Sequence, residues 1–286
     1  QLLSYEHLVC NTPIHLVNQQ SQEDFNQWKE QWTKNNGLNV LEHIESEGME
    51  YVDFEVSDLT QADKHPRETF MLSLKNRENQ YFESGDLLAV RASNDGEERM
   101  YSIGKGANGE VVLYIKRHPR GLCSQFLSEQ IVGSLVKGRI ISNPKFHVPK
   151  RFKSLILISN GTGIAPFMGM INENSHKCDI HLFWGGASKE DYSLYENNLR
   201  QMQEEGKITS VNTVFSEEEN SYVQDLITKN KGLISKELQR GAHLMICGSL
   251  VMEKAVYSSL ESICNENKLK DMTYYKSKGR LKTDCY

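Results

Sequence analysis

The spacing of apolar positions changes about halfway along the chain. From about residue 50 to 148, short alternating or β-rich runs recur, including EYVDFEV, TFMLSLK, DLLAVRA, RMYSI, VVLYIK and GRIIS, and turn clusters such as SNDGEE and GANGE separate them. Several short strands with turn signals at this spacing are typical of an antiparallel barrel or sandwich. We therefore predict an antiparallel β-barrel domain over residues 41–150.

From residue 154 the pattern becomes apolar strand, glycine-containing turn and helix, repeated along SLILISNGTGIAPFMGMI, IHLFWGGASKEDYSLYENNLRQM, ITSVNTVFSEEENSYVQDLI and HLMICGSLVMEKAVYSSLESI. MTYYKS is predicted as a last strand. Such alternation implies a parallel sheet covered on both faces, so the second domain is predicted to be α/β over residues 151–286, joined to the first near HVPKRFK. In the helix after residue 249, one face is apolar and is expected to be buried: Met252, Val256, Leu260 and Ile263.

Residues 1–40 fit neither pattern. Phe25, Trp28 and Trp32 share one helical face behind Ser21 as a candidate cap. The segment is interpreted either as a helix packed on the barrel or as a linker arriving from an upstream domain. Because the chain begins with Gln1 rather than Met, we expect it to be a piece of a longer polypeptide.

Composition narrows the class of protein. At 286 residues, two domains are expected. A net charge of -5 argues against general binding to nucleic acid or to an anionic membrane, and no apolar run reaches the roughly 18 residues that a membrane span needs. The six cysteines are scattered without a CxxC pair. This spacing favours reduced thiols in the cytoplasm over disulfides or a zinc site, so no metal is expected.

Several short motifs carry candidate chemistry. SNGTGIAPF, with Gly161, Thr162 and Gly163, follows an apolar strand and opens a helix, where backbone N–H groups can hold a diphosphate. In RMYS, Arg99–Ser102, an arginine can clamp a phosphate and a tyrosine can stack on a flat ring. RGLCSQFL is predicted to form a second turn that enters a helix, where backbone N–H groups could hold a phosphate. MICGS places Cys247 at the end of a sheet strand. Taken singly, each motif also fits ordinary structure, such as an edge strand or a buried packing cysteine.

Taken together, RMYS, GLCS, NPKFHVP, GTGIAPF, CGS and a terminal aromatic residue, in this order, resemble the ferredoxin–NADP reductase superfamily over roughly residues 50–286. The pattern is most similar to the reductase modules of diflavin enzymes, such as the sulfite reductase flavoprotein. Those enzymes insert a helical connecting domain between the turn and the flavin strand. Here Asp95 and Arg99 are four residues apart, so that insertion is absent.

The resemblance implies a role for each matching residue. FAD would be held by the RMYS strand and the GLCS turn, namely Arg99, Met100, Tyr101, Ser102, Gly121, Leu122, Cys123 and Ser124. NADPH or NADH would be held by the glycine turn and a later loop, namely Gly161, Thr162, Gly163, Ser216 and Tyr222. The residues implied in hydride transfer are Ser102, Cys247, Asp284 and Tyr286. Tyr286 would cover one face of the flavin and move aside for nicotinamide.

Four positions depart from the pattern of family members that select NADPH. Met168, Ala187 and Glu217 stand where basic residues are expected, and Ser221 is the nearest counterpart of a lysine. An acid repels a 2′-phosphate but accepts a hydrogen bond from a free ribose hydroxyl. Lys189 or Lys229 could compensate, so the choice between NADH and NADPH stays open.

The predicted function is a FAD-dependent oxidoreductase that passes hydride from NAD(P)H to FAD and then single electrons to an acceptor. The acceptor is an electron carrier protein, a haem or FMN domain upstream, or a ferric compound. The alternatives are a non-catalytic flavin-binding module that docks a redox partner, and a nucleotide sensor. The expected location is cytoplasmic, with the chain either free or forming the soluble C-terminal part of a larger, membrane-anchored polypeptide.

Overall fold

The computed structural model describes residues 51–92 and 98–286, and Glu30 alone before them. Glu30 is helical, but the rest of the predicted segment 1–40, with Phe25, Trp28 and Trp32, lies outside the described residues. By internal contacts the chain divides after Glu50, and residues 51–286 form one compact unit. The predicted boundary near residue 150 falls inside this unit and stays a prediction.

The first half of this unit is an antiparallel sheet of seven strands in the order β4-β3-β7-β1-β2-β6-β5. Along β1, buried residues alternate with partly exposed ones, because one face of the strand covers the core. The predicted antiparallel architecture is confirmed. The strands are β1 (Val52–Leu59), β2 (Thr69–Asn76), β3 (Leu87–Arg91), β4 (Glu98–Ser102), β5 (Gly104–Lys105), β6 (Val111–Lys116) and β7 (Leu135–Ile141). Helix α1 (Leu122–Ser128) lies between β6 and β7.

The second half is a parallel sheet of five strands in the order β10-β9-β8-β11-β12, as the alternating pattern predicted. Its strands are β8 (Ser154–Asn160), β9 (Asp179–Gly186), β10 (Ser210–Phe215), β11 (His243–Gly248) and β12 (Leu281–Cys285). Its helices are α2 (Ala165–Asn172), α3 (Lys189–Glu204), α4 (Ser216–Glu219), α5 (Val223–Lys229), α6 (Lys231–Arg240), α7 (Leu250–Glu266) and α8 (Met272–Ser277). The four apolar residues predicted to form the core face of α7 are all buried.

The predicted last strand is wrong, because MTYYKS forms helix α8. Asp271 caps this helix, and its carboxylate accepts a hydrogen bond of 2.7 Å from the backbone N–H of Tyr274. Met272 and Tyr275, three residues apart, are buried on one helical face. The last strand is β12, which begins four residues after Ser277.

Two glycines lie where the halves approach most closely. A Cβ on Gly104 of β5 would come within 2.4 Å of the backbone oxygen of Ala165, and a Cβ on Gly169 of α2 within 2.3 Å of the backbone nitrogen of Lys105. Real Cβ contacts are not this short, so only glycine permits strand β5 to lie directly on helix α2. The two halves therefore contact each other through the backbones of β5 and α2.

Candidate functional site at the junction of the two sheets

Two clefts open where the carboxyl ends of the parallel strands face the antiparallel sheet. The larger cleft has a volume of about 760 Å³, and the smaller cleft about 280 Å³. The predicted residues that line the larger cleft are Gly161, Thr162, Ser216, Tyr222 and Tyr286. Those that line the smaller cleft are Arg99, Met100, Tyr101, Ser102, Gly121, Cys123, Ser124, Thr162 and Tyr286. The clefts share Lys116, Thr162 and Tyr286, so they meet at these side chains.

Edge strand β4 carries Arg99–Ser102 into the smaller cleft. Glu98, at the start of this strand, accepts two hydrogen bonds of 2.7 Å from the guanidinium of Arg139 on β7, reaching across β3, and a third from the hydroxyl of Tyr51. The bonds from Arg139 hold the pKa of the Glu98 carboxyl below its usual range despite partial burial. A bidentate pair fixes orientation as well as distance, so the edge strand is tied to the interior of its sheet.

The turn before α1 closes the other side of the smaller cleft. Ser124 donates a hydrogen bond of 2.9 Å to the carbonyl of Gly121 and accepts one of 3.1 Å from the backbone N–H of His118. Cys123 packs into the core of the antiparallel sheet, with its sulfur 3.8 Å from the carbonyl of Val90. Leu122 is exposed and lines neither cleft. The predicted contacts of this turn with a ligand thus fall mainly to its backbone.

Ser102, Asp284 and Cys247 form a cluster at the inner end of the smaller cleft. Cys247 and Asp284 are paired neighbours on β11 and β12, and Ser102 donates a hydrogen bond of 2.7 Å to Asp284 Oδ2. Burial raises the pKa of Asp284, against the opposing effect of that bond. Burial also raises the pKa of the Cys247 thiol well above its ordinary value. Cys247 is therefore a neutral thiol at pH 7, and it lies behind the clefts rather than lining either of them.

Tyr286 is held in place by main-chain bonds. Its N–H donates to the carbonyl of Gly248 at 3.0 Å, and its carbonyl accepts from the N–H of Leu250 at 3.2 Å. Its hydroxyl lies 3.4 Å from Thr162 Oγ1, while the residue as a whole stays 65% exposed. The last residue thus presents an open aromatic ring at the junction of the clefts.

The turn between β8 and α2 forms the floor of the larger cleft. Gly161 has a φ of +52° and its carbonyl accepts a hydrogen bond of 3.0 Å from the indole N–H of Trp184. A Cβ added to Gly161 would meet no atom within 4 Å, so this backbone faces open space that a ligand can enter. Gly163 has a different role, because a Cβ there would lie 2.4 Å from the carbonyl oxygen of Cys247. It lines neither cleft and lets the turn press on β11.

Comparison with known proteins assigns the second half of the chain. Residues 157–258 match the family of oxidoreductase NAD-binding domains. Over 50% of its own length, the chain is 34% identical to nitric oxide synthase of Anopheles stephensi. Over 52% of its length it is 30% identical to NADPH–cytochrome P450 reductase of Salmo trutta, and over 51% of its length it is 33% identical to the sulfite reductase [NADPH] flavoprotein alpha-component of Shewanella oneidensis. The aligned parts span 12%, 28% and 25% of those relatives.

Comparison with solved structures assigns the fold of the whole unit. A mutant of the ferredoxin–NADP+ reductase of Plasmodium falciparum, solved with 2′P-AMP, superposes with a TM-score of 0.70 at 21% identity and covers 82% of this chain and 96% of that chain. This likeness shows that the chain has the two-sheet fold of a ferredoxin–NADP+ reductase. Within that fold, residues 157–258 match the family of oxidoreductase NAD-binding domains.

Several residues line the clefts without having been predicted. His65, Arg67 and Lys116 reach the larger cleft from the antiparallel half, and Tyr114, Lys116 and His118 line the smaller one. VVLYIKRHPRGLCS already places Lys116 and His118 next to the predicted turn, so a signal was present for them. His65 and Arg67 lie in a loop between β1 and β2, and no motif marked them.

Three of the departures from the NADPH-selective pattern, Ala187, Glu217 and Met168, have different surroundings in the structure. Ala187 lines the larger cleft, and Glu217 pairs with Arg67 at its rim. Met168 does not line the larger cleft, because it is 5% exposed and packs in a hydrophobic core cluster. Lys189 and Lys229, considered as compensating residues, are not among those that line the larger cleft.

Two general properties bear on where this part of the chain can reside. None of the helices in residues 51–92 and 98–286 is long and apolar enough to pass through a lipid bilayer. Over the same residues, Cys123, Cys178, Cys247, Cys264 and Cys285 are all free thiols.

Proposed function

We propose that the chain is the FAD-containing, NAD(P)H-dependent reductase module of an electron-transfer protein. The smaller cleft would hold the flavin, and the larger cleft the nicotinamide dinucleotide. The observation that carries the proposal is the junction of the two clefts at Lys116, Thr162 and Tyr286. Hydride transfer requires two cofactors in direct contact, and a shared wall supports a proposal in which their binding sites would lie side by side.

The residues present fit the two cofactors. Around the smaller cleft, Arg99, Lys116 and His118 offer basic groups for a diphosphate, and Tyr101 and Tyr286 offer aromatic faces for a flat ring. In the larger cleft, Gly161 leaves its backbone open at the start of a short helix, where a second diphosphate can approach. A volume of about 760 Å³ is within the range of cofactor sites.

The cluster at the inner end of the smaller cleft would position the reacting ring atoms. When bound, FAD supplies an acceptor for hydride that can release electrons one at a time. Ser102 is oriented by its bond to Asp284, so its oxygen is fixed beside the flavin site. The neutral thiol of Cys247 contributes a polarisable surface and no nucleophile. Tyr286 would exclude water from the ring until nicotinamide displaces it.

The electron acceptor is proposed at the level of class. The relatives named above include a reductase of cytochrome P450 and a flavoprotein component of sulfite reductase, which supports a protein acceptor, such as a haem or FMN domain or a separate carrier, over a ferric compound. A cytoplasmic location is proposed from the scattered free thiols.

Anaerobic mixing of the purified, FAD-loaded chain with NADH or NADPH tests the proposal. Bleaching of the flavin absorbance by either coenzyme is the expected result. A chain that retains FAD but is bleached by neither coenzyme would support the non-catalytic docking module. A chain that binds a nucleotide and no flavin would support the sensor. Two observations favour neither the docking module nor the sensor. They are the cluster of Ser102, Asp284 and Cys247 and the match to an oxidoreductase NAD-binding domain.

A further inference from the structure

Arg67 crosses from the antiparallel half to the rim of the larger cleft. It lies just before β2, and its guanidinium forms an ion pair with Glu217 in α4. Its Nε also lies 3.7 Å from Asp191 Oδ2 in the first turn of α3. One cation therefore faces two carboxylates that belong to the other sheet, beside Ser216 and Tyr222.

His65 fixes the loop that presents Arg67. The backbone N–H groups of Arg67 and Thr69 both point to His65 Nδ1, at 3.3 and 3.4 Å. Nδ1 must then be the acceptor, which places the proton on Nε2, where it donates to the carbonyl of Asp191 at 3.3 Å. The loop is thus attached to α3 by a neutral imidazole, and Arg67 is held over the cleft rim.

Asp191 supplies a fixed negative charge at this place. Its side chain is 10% exposed and lines the larger cleft. Oδ2 accepts hydrogen bonds of 3.1 Å from the N–H groups of Ala187 and Ser188, whereas Oδ1 is buried without a hydrogen-bond partner among the described residues. A carboxylate with an unmet acceptor favours neighbours that donate hydrogen bonds or carry positive charge. The guanidinium of Arg67 approaches the other oxygen, Oδ2, at 3.7 Å.

Glu217 remains accessible to a ligand although it is paired. Its side chain is 59% exposed, and it is followed in α4 by two further acids, Glu218 and Glu219. Because Arg67 is already shared by two carboxylates, it offers little unbalanced positive charge to a dianion. A 2′-phosphate has only acceptor oxygens and would meet the carboxylates, whereas a ribose hydroxyl can donate to Glu217.

We propose that Arg67, Asp191 and Glu217 form a coenzyme-selection site that accepts the free 2′-hydroxyl of NADH and disfavours the 2′-phosphate of NADPH, with Arg67 as the positioning residue that aims Glu217 at the ribose. This inference rests on the proposed function, since it assigns the adenosine end of the same cleft. It makes Arg67 a specificity residue contributed by the antiparallel half.

Calorimetric titration of the FAD-loaded chain with ADP-ribose and with 2′-phospho-ADP-ribose separates this inference from the proposed reductase function. Both probes lack nicotinamide, so their binding does not depend on displacement of Tyr286. ADP-ribose is expected to bind tighter by about tenfold or more at low salt, because the 2′-phosphate would lie beside carboxylates of like charge. The ratio should shrink at high salt, where exposed charges are screened.

Two acid-to-amide changes form a matched pair. Glu217→Gln should reduce the preference by several-fold, whereas Glu218→Gln, an equal change of charge, should alter it far less, because Glu218 bonds the backbone of Lys189 and not Arg67. Arg67→Gln should weaken both probes and penalise 2′-phospho-ADP-ribose more, since Glu217 and Asp191 lose their common counter-ion. Retained FAD and an unchanged melting temperature would show that the variants are folded.

The outcomes divide cleanly between the two proposals. Equal or tighter binding of 2′-phospho-ADP-ribose to the parent chain would overturn the selection site and leave the reductase function standing, as would equal effects of the two glutamine variants. Failure of both probes to bind would instead count against the use of any nicotinamide dinucleotide, and with it against the proposed function.

Discussion

Replacement of Tyr286 by alanine isolates the effect of the terminal ring. The two main-chain bonds of residue 286, to Gly248 and Leu250, survive this change because they involve only backbone atoms. The ring buries little surface in the protein alone, where the residue is 65% exposed. We therefore expect the free energy of unfolding of the chain to change by less than about 1 kcal/mol.

The expected gain is in affinity for the nicotinamide coenzyme. If the ring covers the flavin, nicotinamide must displace a stacked aromatic pair, which is worth about 0.5–1.5 kcal/mol beyond its buried area. Removing the ring should then tighten binding of the oxidised coenzyme roughly two- to tenfold, at about 1.4 kcal/mol per decade. Turnover could still fall if product release slows.

The assay is titration of the FAD-loaded chain with oxidised NAD or NADP, followed by the flavin difference spectrum. Tyr286→Phe is the control, since it keeps the ring and loses only the hydroxyl, whose 3.4 Å contact with Thr162 is long for a hydrogen bond. It should match the parent within about twofold, on the same scale of about 1.4 kcal/mol per decade. Identical affinities of the parent and the alanine variant, with flavin retained in both, would refute the covering role of Tyr286.

Three further changes test the surroundings of the clefts. Arg139→Met should cost about 1–2 kcal/mol in urea unfolding at neutral pH. Because the pKa of Glu98 is lowered, this contribution is full above the usual carboxyl pKa and is lost as pH falls through the lowered one, so the cost of the substitution should fade in acid. Gly163→Ala should lower the free energy of unfolding by about 1–3 kcal/mol, because the added Cβ would meet main-chain atoms of β11. Gly232→Ala is the control: its Cβ would meet no atom within 4 Å, so it should be neutral or stabilising in the same assay. Burial raises the pKa of Asp284, so its contribution to stability is present at acid pH and is lost as pH rises through that pKa. Asp284→Asn should therefore raise the melting temperature more at neutral than at acid pH. The same substitution should slow flavin reduction by NAD(P)H in stopped-flow mixing.

Long periodic segments could be predicted from the sequence because their burial pattern is local. Strand β1 and helix α7 each repeat apolar residues at the spacing of one buried face, and both have that face in the core. MTYYKS was misassigned because six residues rich in tyrosine fit a strand as well as a helix. The helix is favoured by the side-chain cap of Asp271 and by the burial of Met272 and Tyr275 on one face. Neither feature can be inferred from the pattern of six residues alone.

The site could be predicted where chemistry lies within one short motif. Arg99–Ser102 and Gly161–Thr162 line the expected clefts because each motif is a strand or turn that carries its own geometry. Arg67 could not be found in this way, because its role depends on contacts with Asp191 and Glu217. These residues follow Arg67 in the chain by 124 and 150 positions. The burial of Met168 within α2 could not be inferred either, because its place after a motif does not reveal which residues of the helix face the core.

The junction of the clefts depends on the docking of the two sheets more than on any single motif. Lys116 ends strand β6 of the antiparallel sheet, whereas Thr162 and Tyr286 follow strands β8 and β12 of the parallel sheet. Their common position therefore follows from the way the two halves dock, to which Gly104 and Gly169 contribute by permitting close contact between the backbones of β5 and α2. Protein interiors are close-packed and transmit such constraints with little slack. The distance between two bound cofactors would thus be fixed by glycines that touch neither of them.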